Sequence, residues 1–442
     1  MRKLHEISTY AMNFSIENTP NEVKKKSKLL ILDSIAAIIK GNQSSEIQLL
    51  IKSLSKNSQK PSNENLCIFG TKYSADFKTN ALIQGISMVT DELDEGNPVA
   101  KGHPAAHYFP ALLSYAINKQ VSGKTLQEAF IVNYEISARL GKIISLNEDI
   151  HPHGNWGVFG NGFGLGKLLH WDNPSKYEEA SMLSTSFSFP TLWKSVLEGH
   201  NVRNLIIGLN NYNTTLLSDF IQSGFTASIS TASTIYNNVL SKSLSEFPTD
   251  FNEKHIMNEA YFKFYPYCRF CHSSIDVALK LLKDRKLEKV KSIVIKTYDA
   301  AAQLNGKNIT TSFGGKFSIP YAISEVVYNT YKKTGNKQQF IKSFMDKIEV
   351  KSDKKFNDQF PDKRLTSLEI TFNDGEIIEM ETDRATGAMD ETDLIDKVVN
   401  KNRALLNDVY SQNQTEEIID TILNIDQIKN LSDLEKLFRI GI

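Results

Sequence analysis

The sequence predicts a mostly α-helical protein that carries a smaller mixed α/β part. Apolar residues recur at helical spacing through most of residues 1–250 and again after Asp390. Between these stretches, short segments alternate apolar and polar residues, which is the pattern of half-buried strands. A chain of 442 residues also exceeds what one hydrophobic core ordinarily serves. We therefore expect two domains, the larger of them helical.

The N-terminal helices are predicted from the period of their apolar residues. Within residues 21–40, Leu29, Leu32 and Ile35 recur at helical spacing. Gly41 is expected to end this helix, because glycine readily adopts the conformation that closes a helix. Further helix-like segments, rich in alanine or leucine, are residues 44–54, 75–90, 110–118 and 124–146.

Residues 151–169 form a glycine-rich segment that we expect to be a buried, tightly packed helix. Its glycines recur at helical spacing, at positions 160, 162, 164 and 166, and would leave bare faces for another backbone. A phosphate-binding loop would need glycine and a hydroxyl residue where Asn161 and Leu168 stand. No predicted strand precedes the segment, so a dinucleotide fold is also disfavoured.

The pattern of apolar residues changes near Pro248. Residues 288–298 and 348–351 alternate apolar and polar side chains, and residues 365–382 do so on both sides of an Asn373-Asp-Gly turn. The predicted division is therefore a helical domain over residues 1–250, an α/β domain over 251–386, and a return to the helical domain over 387–442.

Composition excludes several classes of function. The net charge is zero and the pI is near 7.1, so neither a nucleic-acid groove nor an anionic membrane surface is indicated. No apolar window is long enough for a membrane span or a signal peptide. Three cysteines do not make a disulfide framework. We expect a cytoplasmic protein that meets anionic ligands through locally placed cations.

Candidate acid–base groups cluster in connectors beside apolar helices. The stretch from Glu92 to Pro110 holds Asp94, Glu95 and a Gly-His-Pro element at His103. Histidines 151 and 153 open the glycine-rich segment, and His272 closes the sequence Lys-Phe-Tyr-Pro-Tyr-Cys-Arg-Phe-Cys-His. Each cluster alone suits a structural role, but three of them favour one pocket.

Metal binding and redox chemistry are disfavoured by spacing. Cys268 and Cys271 with His272 lack a second pair at zinc-finger distance, and no strand leads into them as in thioredoxin-like proteins. Four cations near the clusters suit a substrate with several carboxylates, which also needs positive charge for an enolate-like intermediate: Lys194, Lys263, Arg269 and Lys316.

The order of motifs resembles the MmgE/PrpD family, which includes 2-methylcitrate dehydratases, cis-aconitate decarboxylases and iminodisuccinate epimerases. The segments that carry the resemblance run in register over nearly the whole chain: residues 32–41, Glu92-Leu-Asp-Glu-Gly, Gly-His103-Pro, His151-Pro-x-Gly, Lys194 with Gly199, residues 224–226, Lys263-x-Tyr-Pro-x-Cys with His272, and Lys316-Phe-Ser-Ile-Pro-Tyr321.

The resemblance implies an all-helical main domain built from both chain ends, a smaller α/β lid, a homodimer, and no cofactor or metal. It implies catalytic roles for His103, His151, Tyr321 and either Glu92 or Asp94. It implies substrate-binding roles for the basic side chains of later motifs: Lys194, Lys263, Arg269, His272 and Lys316. The chain departs from the family where Asn97 replaces a histidine, Glu95 an aspartate and His153 a threonine.

The activity that the resemblance predicts is a cofactor-independent lyase acting on a small polycarboxylate. The first hypothesis is a 2-methylcitrate dehydratase-like reaction, in which a base removes a proton alpha to a carboxylate and an acid assists loss of the hydroxyl. The alternatives are cis-aconitate decarboxylation, an iminodisuccinate-type epimerisation, and an inactive relative that serves as a binding protein. His153, Cys268 and Cys271 are expected to be structural.

Overall fold

The computed structural model describes residues 2–55, 65–361 and 363–440. The prediction of a mostly α protein is confirmed, since helices account for most of the regular structure and the sheets are small. The chain divides into two compact units. The larger unit comprises Met1–Trp193, Val202–Phe262 and Thr392–Ile442, and the smaller comprises Lys194–Asn201 and Lys263–Glu391.

Amphipathic or wholly apolar helices make up the first part of the larger unit. Their bounds are α1 Arg2–Asn13, α2 Asn21–Asn42, α3 Ser45–Ser55, α4 Phe77–Met88, α5 Phe109–Asn118, α6 Gly123–Ile143, α7 Asn161–Leu168, α8 Pro174–Thr185, α10 Val202–Gln222 and α11 Thr231–Ser233. Helix α9 Trp193–Leu197 belongs, from Lys194 onward, to the smaller unit. Across the described residues, no helix combines the length and apolar character needed to cross a membrane.

The family resemblance implied an all-helical main domain, but the larger unit contains four short strands. Strand β1 (Leu66–Cys67) pairs antiparallel with β2 (Ser74–Ala75), and β3 (Ile144–Leu146) pairs antiparallel with β4 (Ser241–Leu244). These strands are too short to show an alternating pattern, so the sequence did not predict them.

The smaller unit is built on one four-stranded sheet. Its elements are α12 Arg269–Leu282, β5 Val290–Thr297, α13 Asp299–Ala302, α14 Ser312–Gly315, α15 Ile319–Val327, α16 Lys337–Met345, β6 Ile348–Ser352, α17 Lys354–Asn357, β7 Thr366–Phe372 and β8 Ile377–Thr382. The strand order is β6-β5-β7-β8, with β5 and β6 parallel and the other pairs antiparallel. All three predicted strand segments are confirmed, including the hairpin turn at Gly375.

The C-terminal segment returns to the larger unit as α18 Leu394–Asn407, α19 Gln412–Leu423 and α20 Leu431–Leu437. Helices α18 and α19 pack on α2, and α2 packs on α4 and α6. Helix α2 is buried on nearly every side, with Leu30, Ile31 and Ile38 fully enclosed. The C-terminal helices therefore complete the core that the N-terminal helices begin.

The glycine-rich segment is buried as predicted, but it is an α-helix only over α7, which follows a short 3-10 helix at Trp156–Gly160. At Gly162 a Cβ atom would lie 2.3 Å from the backbone nitrogen of Ser181, so only glycine lets α8 approach. At Gly164 a Cβ would lie 2.6 Å from the Asn133 amide on α6. The glycines therefore lie where α8 and α6 pack closely against this helix.

Gly41 does not end helix α2, contrary to the prediction. The helix continues to Asn42, and a Cβ at Gly41 would lie 2.0 Å from the carbonyl oxygen of Ser87 on α4. The glycine is therefore required for the close approach of two helices rather than for a helix terminus.

Replacing Gly41 by alanine is therefore expected to destabilise the protein by about 1–3 kcal/mol, because backbone atoms cannot rotate away from the new methyl group. Helix propensity alone would favour alanine by about 1 kcal/mol. Urea unfolding measures the difference. The matched control is Gly306→Ala, where a Cβ would meet no atom within 4 Å. Unchanged or higher stability of Gly41→Ala would contradict the packing role.

Candidate active site

The acidic loop, residues 91–104, connects helix α4 to the turn that precedes α5. Its backbone folds back on itself, since the Asn97 N–H donates to the Gly102 carbonyl at 2.8 Å. The Asn97 side chain accepts the N–H groups of Val99 and Ala100. Glu92 and Lys101 adopt the left-handed conformation, with φ of 53° and 59°. Such strain costs about 1–2 kcal/mol per residue and often marks a functional segment.

His103 lies at the end of this loop with one ring nitrogen held in place. Its Nδ1 is 2.5 Å from the carbonyl oxygen of Glu95 and 3.1 Å from Oδ2 of Asp94. Both neighbours only accept hydrogen bonds, so Nδ1 carries the proton. Within the described residues, Nε2 has no hydrogen-bond partner, and the side chain is 13% exposed. A neutral His103 therefore presents a lone pair on Nε2.

His151 has the opposite tautomer. Its Nδ1 accepts the backbone N–H of His153 at 3.1 Å, which leaves the proton of a neutral ring on Nε2. The ring of His153 contacts both, with centroid distances of 5.0 Å to His103 and 4.7 Å to His151. The structure thus brings His103 and His151 to a common neighbour, a histidine that we expected to be structural.

His107 is enclosed beneath this group and is structural. Its Nδ1 donates to the His103 carbonyl at 3.0 Å and its Nε2 accepts the Gly154 N–H at 3.0 Å. Burial lowers the pKa of His107 to about 4. The ring is therefore neutral, and it ties the acidic loop to the segment that carries His151 and His153.

Glu92 is engaged by a cation that the sequence analysis missed. Arg203 of helix α10 forms an ion pair with the Glu92 carboxylate, and both side chains are almost fully buried. The same guanidinium reaches Nδ1 of His153 at 2.9 Å. Arg203 stands four residues before the buried Ile207, and a cation on a buried helix face needs an anion nearby. The position of Arg203 on a buried helix face was therefore the feature of the sequence that could have revealed this ion pair.

Glu95 joins the two limbs of the acidic loop to helix α6. One carboxylate oxygen accepts the Ala105 N–H at 2.9 Å and the other accepts the Tyr134 hydroxyl at 2.8 Å. Burial raises the pKa of Glu95 to about 7, although His103 and these two donors oppose the rise. Its backbone carbonyl is the acceptor that fixes the His103 tautomer. Glu95 is therefore a structural centre of the loop.

The stability of Glu95→Gln is expected to depend less on pH than that of the wild type. Burial holds the folded pKa of Glu95 above the ordinary glutamate value of about 4.5, so the folded state binds the proton more tightly. The free energy of unfolding therefore falls as pH rises from about 4.5 to about 7, by up to roughly 3 kcal/mol. Urea unfolding at several pH values measures the slope. The exposed Glu417→Gln is the control, and equal slopes in wild type and Glu95→Gln would contradict the assignment.

In the described part of the chain, one group of side chains has the spacing of a metal site. Ligand atoms of Asp94, His103 and His153 all lie within 4.8 Å of one another. Nη1 of Arg203, however, lies 2.9 Å and 3.4 Å from the two ring nitrogens of His153. A divalent ion would have to displace this permanent cation, which also neutralises Glu92. The donor chemistry therefore favours a hydrogen-bonded network over a metal centre.

The remaining predicted site residues belong to the smaller unit. The Lys194 side chain is 80% exposed and lies 3.9 Å from Glu198. Lys263 is buried and Lys316 is half-buried. Tyr321 packs its ring against Gly315, where a Cβ would lie 2.8 Å from it, and burial raises its pKa.

Two of these residues make contacts that organise the smaller unit itself. Arg269 donates to the carbonyls of Thr386 at 2.7 Å and Ala385 at 3.1 Å. His272 is fully buried, with Nε2 3.1 Å from the Tyr267 carbonyl. Binding roles for these two and for the other smaller-unit residues stay predictions.

Comparisons with known proteins agree with the order of the motifs. Residues 5–195 match the MmgE/PrpD N-terminal domain and residues 265–427 match the MmgE/PrpD C-terminal domain. A cis-aconitate decarboxylase from Aspergillus terreus strain NIH 2624 / FGSC A1156 is 21% identical, over 98% of this chain and 95% of the relative. A second Aspergillus terreus cis-aconitate decarboxylase is similar to the same extent. The chain belongs to the MmgE/PrpD family.

Proposed function

We propose that this protein is a cofactor-independent lyase that acts on a small polycarboxylate, in the manner of a 2-methylcitrate dehydratase. The observation that carries the proposal is the pair of opposite tautomers at His103 and His151, whose rings both contact His153. One ring offers a lone pair and the other offers an N–H. A reaction through an enolate-like intermediate needs a base for the carbon acid and a donor for the developing negative charge.

In the proposed dehydration, His103 is the base. Its Nε2 takes the proton alpha to a carboxylate, and the electrons of that C–H bond form the double bond as the C–O bond breaks. The imidazolium then gives the same proton to the departing hydroxyl, which leaves as water and restores the neutral ring. The carbonyl of Glu95 and the carboxylate of Asp94 both stabilise this imidazolium through Nδ1.

His151 is proposed as a hydrogen-bond donor rather than as a general acid. Its Nδ1 already accepts the N–H of His153, so the proton of a neutral ring lies on Nε2. A neutral imidazole loses its proton too reluctantly for an acid, but its N–H suits an enolate oxygen. If one group carries the proton from carbon to hydroxyl, the elimination is syn.

Decarboxylation of cis-aconitate is the second candidate, favoured by the names of the two relatives. In that reaction the carboxylate on the methylene carbon leaves as CO₂, the electrons of the broken C–C bond form a new double bond, and those of the old double bond move to the far alkene carbon. A protonated His103 then delivers its Nε2 proton to that carbon. The two reactions start from opposite protonation states of His103.

Two further alternatives predict different products. An epimerase acting on an iminodisuccinate-type dicarboxylate exchanges its α-proton with solvent and releases nothing. A binding protein derived from an enzyme ancestor binds the acid without exchange or product.

Proton NMR in deuterated water tests all four possibilities in one format. The panel is 2-methylcitrate, citrate, cis-aconitate and iminodisuccinate. A new vinyl signal with loss of the hydroxy acid supports dehydration, and itaconate signals from cis-aconitate support decarboxylation. Exchange of the α-proton alone supports an epimerase. Unchanged spectra with all four acids would reject the lyase proposal.

Lys194 is proposed to bind a substrate carboxylate. Lys194 has an exposed ammonium group that could serve this purpose without breaking a buried contact. Lys194→Met should therefore raise KM by about tenfold or more with little change in stability. If the variant has an unchanged KM for an acid that the wild type converts, Lys194 does not bind the substrate.

A homodimer is proposed from the family resemblance and from an apolar surface in the larger unit. Residues 223–239 expose three apolar side chains, Phe225, Ile229 and Val239. Such groups on one short segment are typical of protein interfaces. Sedimentation velocity should show a dimer that Phe225→Asp weakens. A monomeric wild type would contradict the proposal.

A further inference from the structure

Lys401 extends a buried ammonium group from the C-terminal helix α18 to the acidic loop. Its Nζ lies 2.7 Å from Oδ1 of Asp33 on α2 and donates to the carbonyl oxygen of Leu93 at 2.8 Å. The Lys401 side chain is 6% exposed and that of Asp33 is fully buried. One cation therefore joins the first and last helical parts of the larger unit to the loop between Glu92 and Asp94.

The carbonyl of Leu93 is a sensitive place for such a contact. Glu92, directly before it, holds a left-handed backbone conformation that a glutamate adopts reluctantly. Asp94, directly after it, lies 3.1 Å from Nδ1 of His103. A rotation of the peptide after Leu93 would therefore move the carboxylate beside His103 and would release strain at Glu92.

We propose that Lys401 is a positioning residue, which fixes the peptide after Leu93 and through it the Asp94 carboxylate beside His103. The inference rests on the proposed function, because it assigns Lys401 an effect on the base of that reaction. Lys401 acts on that base through Leu93 and Asp94.

Pairing with Asp33 is a separate task of the same ammonium group. Burial raises the pKa of Asp33, and Lys401 opposes that rise. Loss of Lys401 alone would leave a buried carboxylate without its cation, which destabilises a protein whatever happens at the loop. A test must therefore remove the charge of Asp33 together with that of Lys401.

The decisive comparison is Lys401→Met against the double variant Asp33→Asn, Lys401→Met. We expect both the Tm and the kcat of the single variant to be lower than those of the wild type. In the double variant the Tm should rise most of the way back to the wild-type value, because neither charge of the pair remains buried. Its kcat should stay at least roughly tenfold below wild type, and as much as about 100-fold, with KM little changed. Return of kcat to within about twofold of wild type would reduce Lys401 to a charge partner of Asp33.

Lys397→Met is the matched control on the same helix. Lys397 stands one turn earlier, is 37% exposed and pairs with Asp393 at 3.0 Å. It should keep the wild-type Tm and kcat. Should the neutral double variant not fold, Lys401→Arg keeps a cation beside Asp33. Its wider guanidinium should still displace Leu93 and lower kcat, and wild-type turnover would overturn the proposal.

A second readout separates this inference from the proposed function. Nitrogen NMR of ¹⁵N-histidine-labelled protein reports the His103 tautomer, with Nδ1 protonated in the wild type. The signals of His103 should shift in the double variant while those of the exposed His5 stay unchanged. Unchanged His103 signals overturn the positioning role. A wild type that turns over no acid of the panel rejects the lyase proposal alone.

Discussion

Replacement of His103 by asparagine is expected to lower kcat by about 100- to 10,000-fold while the protein stays folded. The asparagine amide can still donate to the Glu95 carbonyl, as Nδ1 of the histidine does at 2.5 Å. The variant loses only the Nε2 lone pair, which is the proposed base. Turnover of the active acid, followed by proton NMR, measures the effect, and urea unfolding measures the stability.

His5→Asn is the control for this experiment. His5 is 65% exposed and contacts Glu178 at 3.1 Å, so its replacement should leave turnover unchanged. Turnover of His103→Asn within about threefold of wild type would remove His103 from the proton transfer.

The largest effect on stability is expected from Arg203→Met. The variant leaves Glu92 buried without its cation, and such losses cost about 3–5 kcal/mol. His153 also loses its contact with the guanidinium, which lies 2.9 Å from Nδ1 in the wild type. Urea unfolding should show the loss. The double variant Glu92→Gln, Arg203→Met should regain a large part of it, because neither buried charge remains.

An exposed ion pair of the same unit provides the control. Arg403 contacts Glu416 with Nη2 3.1 Å from Oε2, and both side chains are partly exposed. Arg403→Met should cost less than about 1 kcal/mol. If Arg203→Met were no more costly than this control, the Glu92 pair would not be holding the strained loop.

The fold was largely accessible from the sequence because its signals are local. Helical periods placed the helices of the first 250 residues, and alternation placed β5, β6 and the β7–β8 hairpin. The error at Gly41 is instructive, since glycine near a predicted helix end usually closes the helix. Only the approach of Ser87 on α4 reveals that this glycine makes room for a neighbour.

The candidate site was accessible only in part. The sequence singled out His103, His151, Glu92 and Asp94, and the structure brings His103 within reach of Asp94. It treated His153 as structural, and the structure adds that its ring contacts both proposed functional histidines. Arg203 and Lys401 were missed, because each reaches the loop from a helix that is distant in the chain.

By itself, the sequence determined the mostly helical class, the strands of the smaller unit, the family and the loop that carries the proposed base. Those features depend on periodicity and on motif order, which are properties of neighbouring residues. The tertiary structure decided which nitrogen of each histidine carries a proton and which cations hold the acidic loop. Both depend on hydrogen bonds between residues far apart in the chain, such as the 308 positions between Leu93 and Lys401. No local pattern records such a contact.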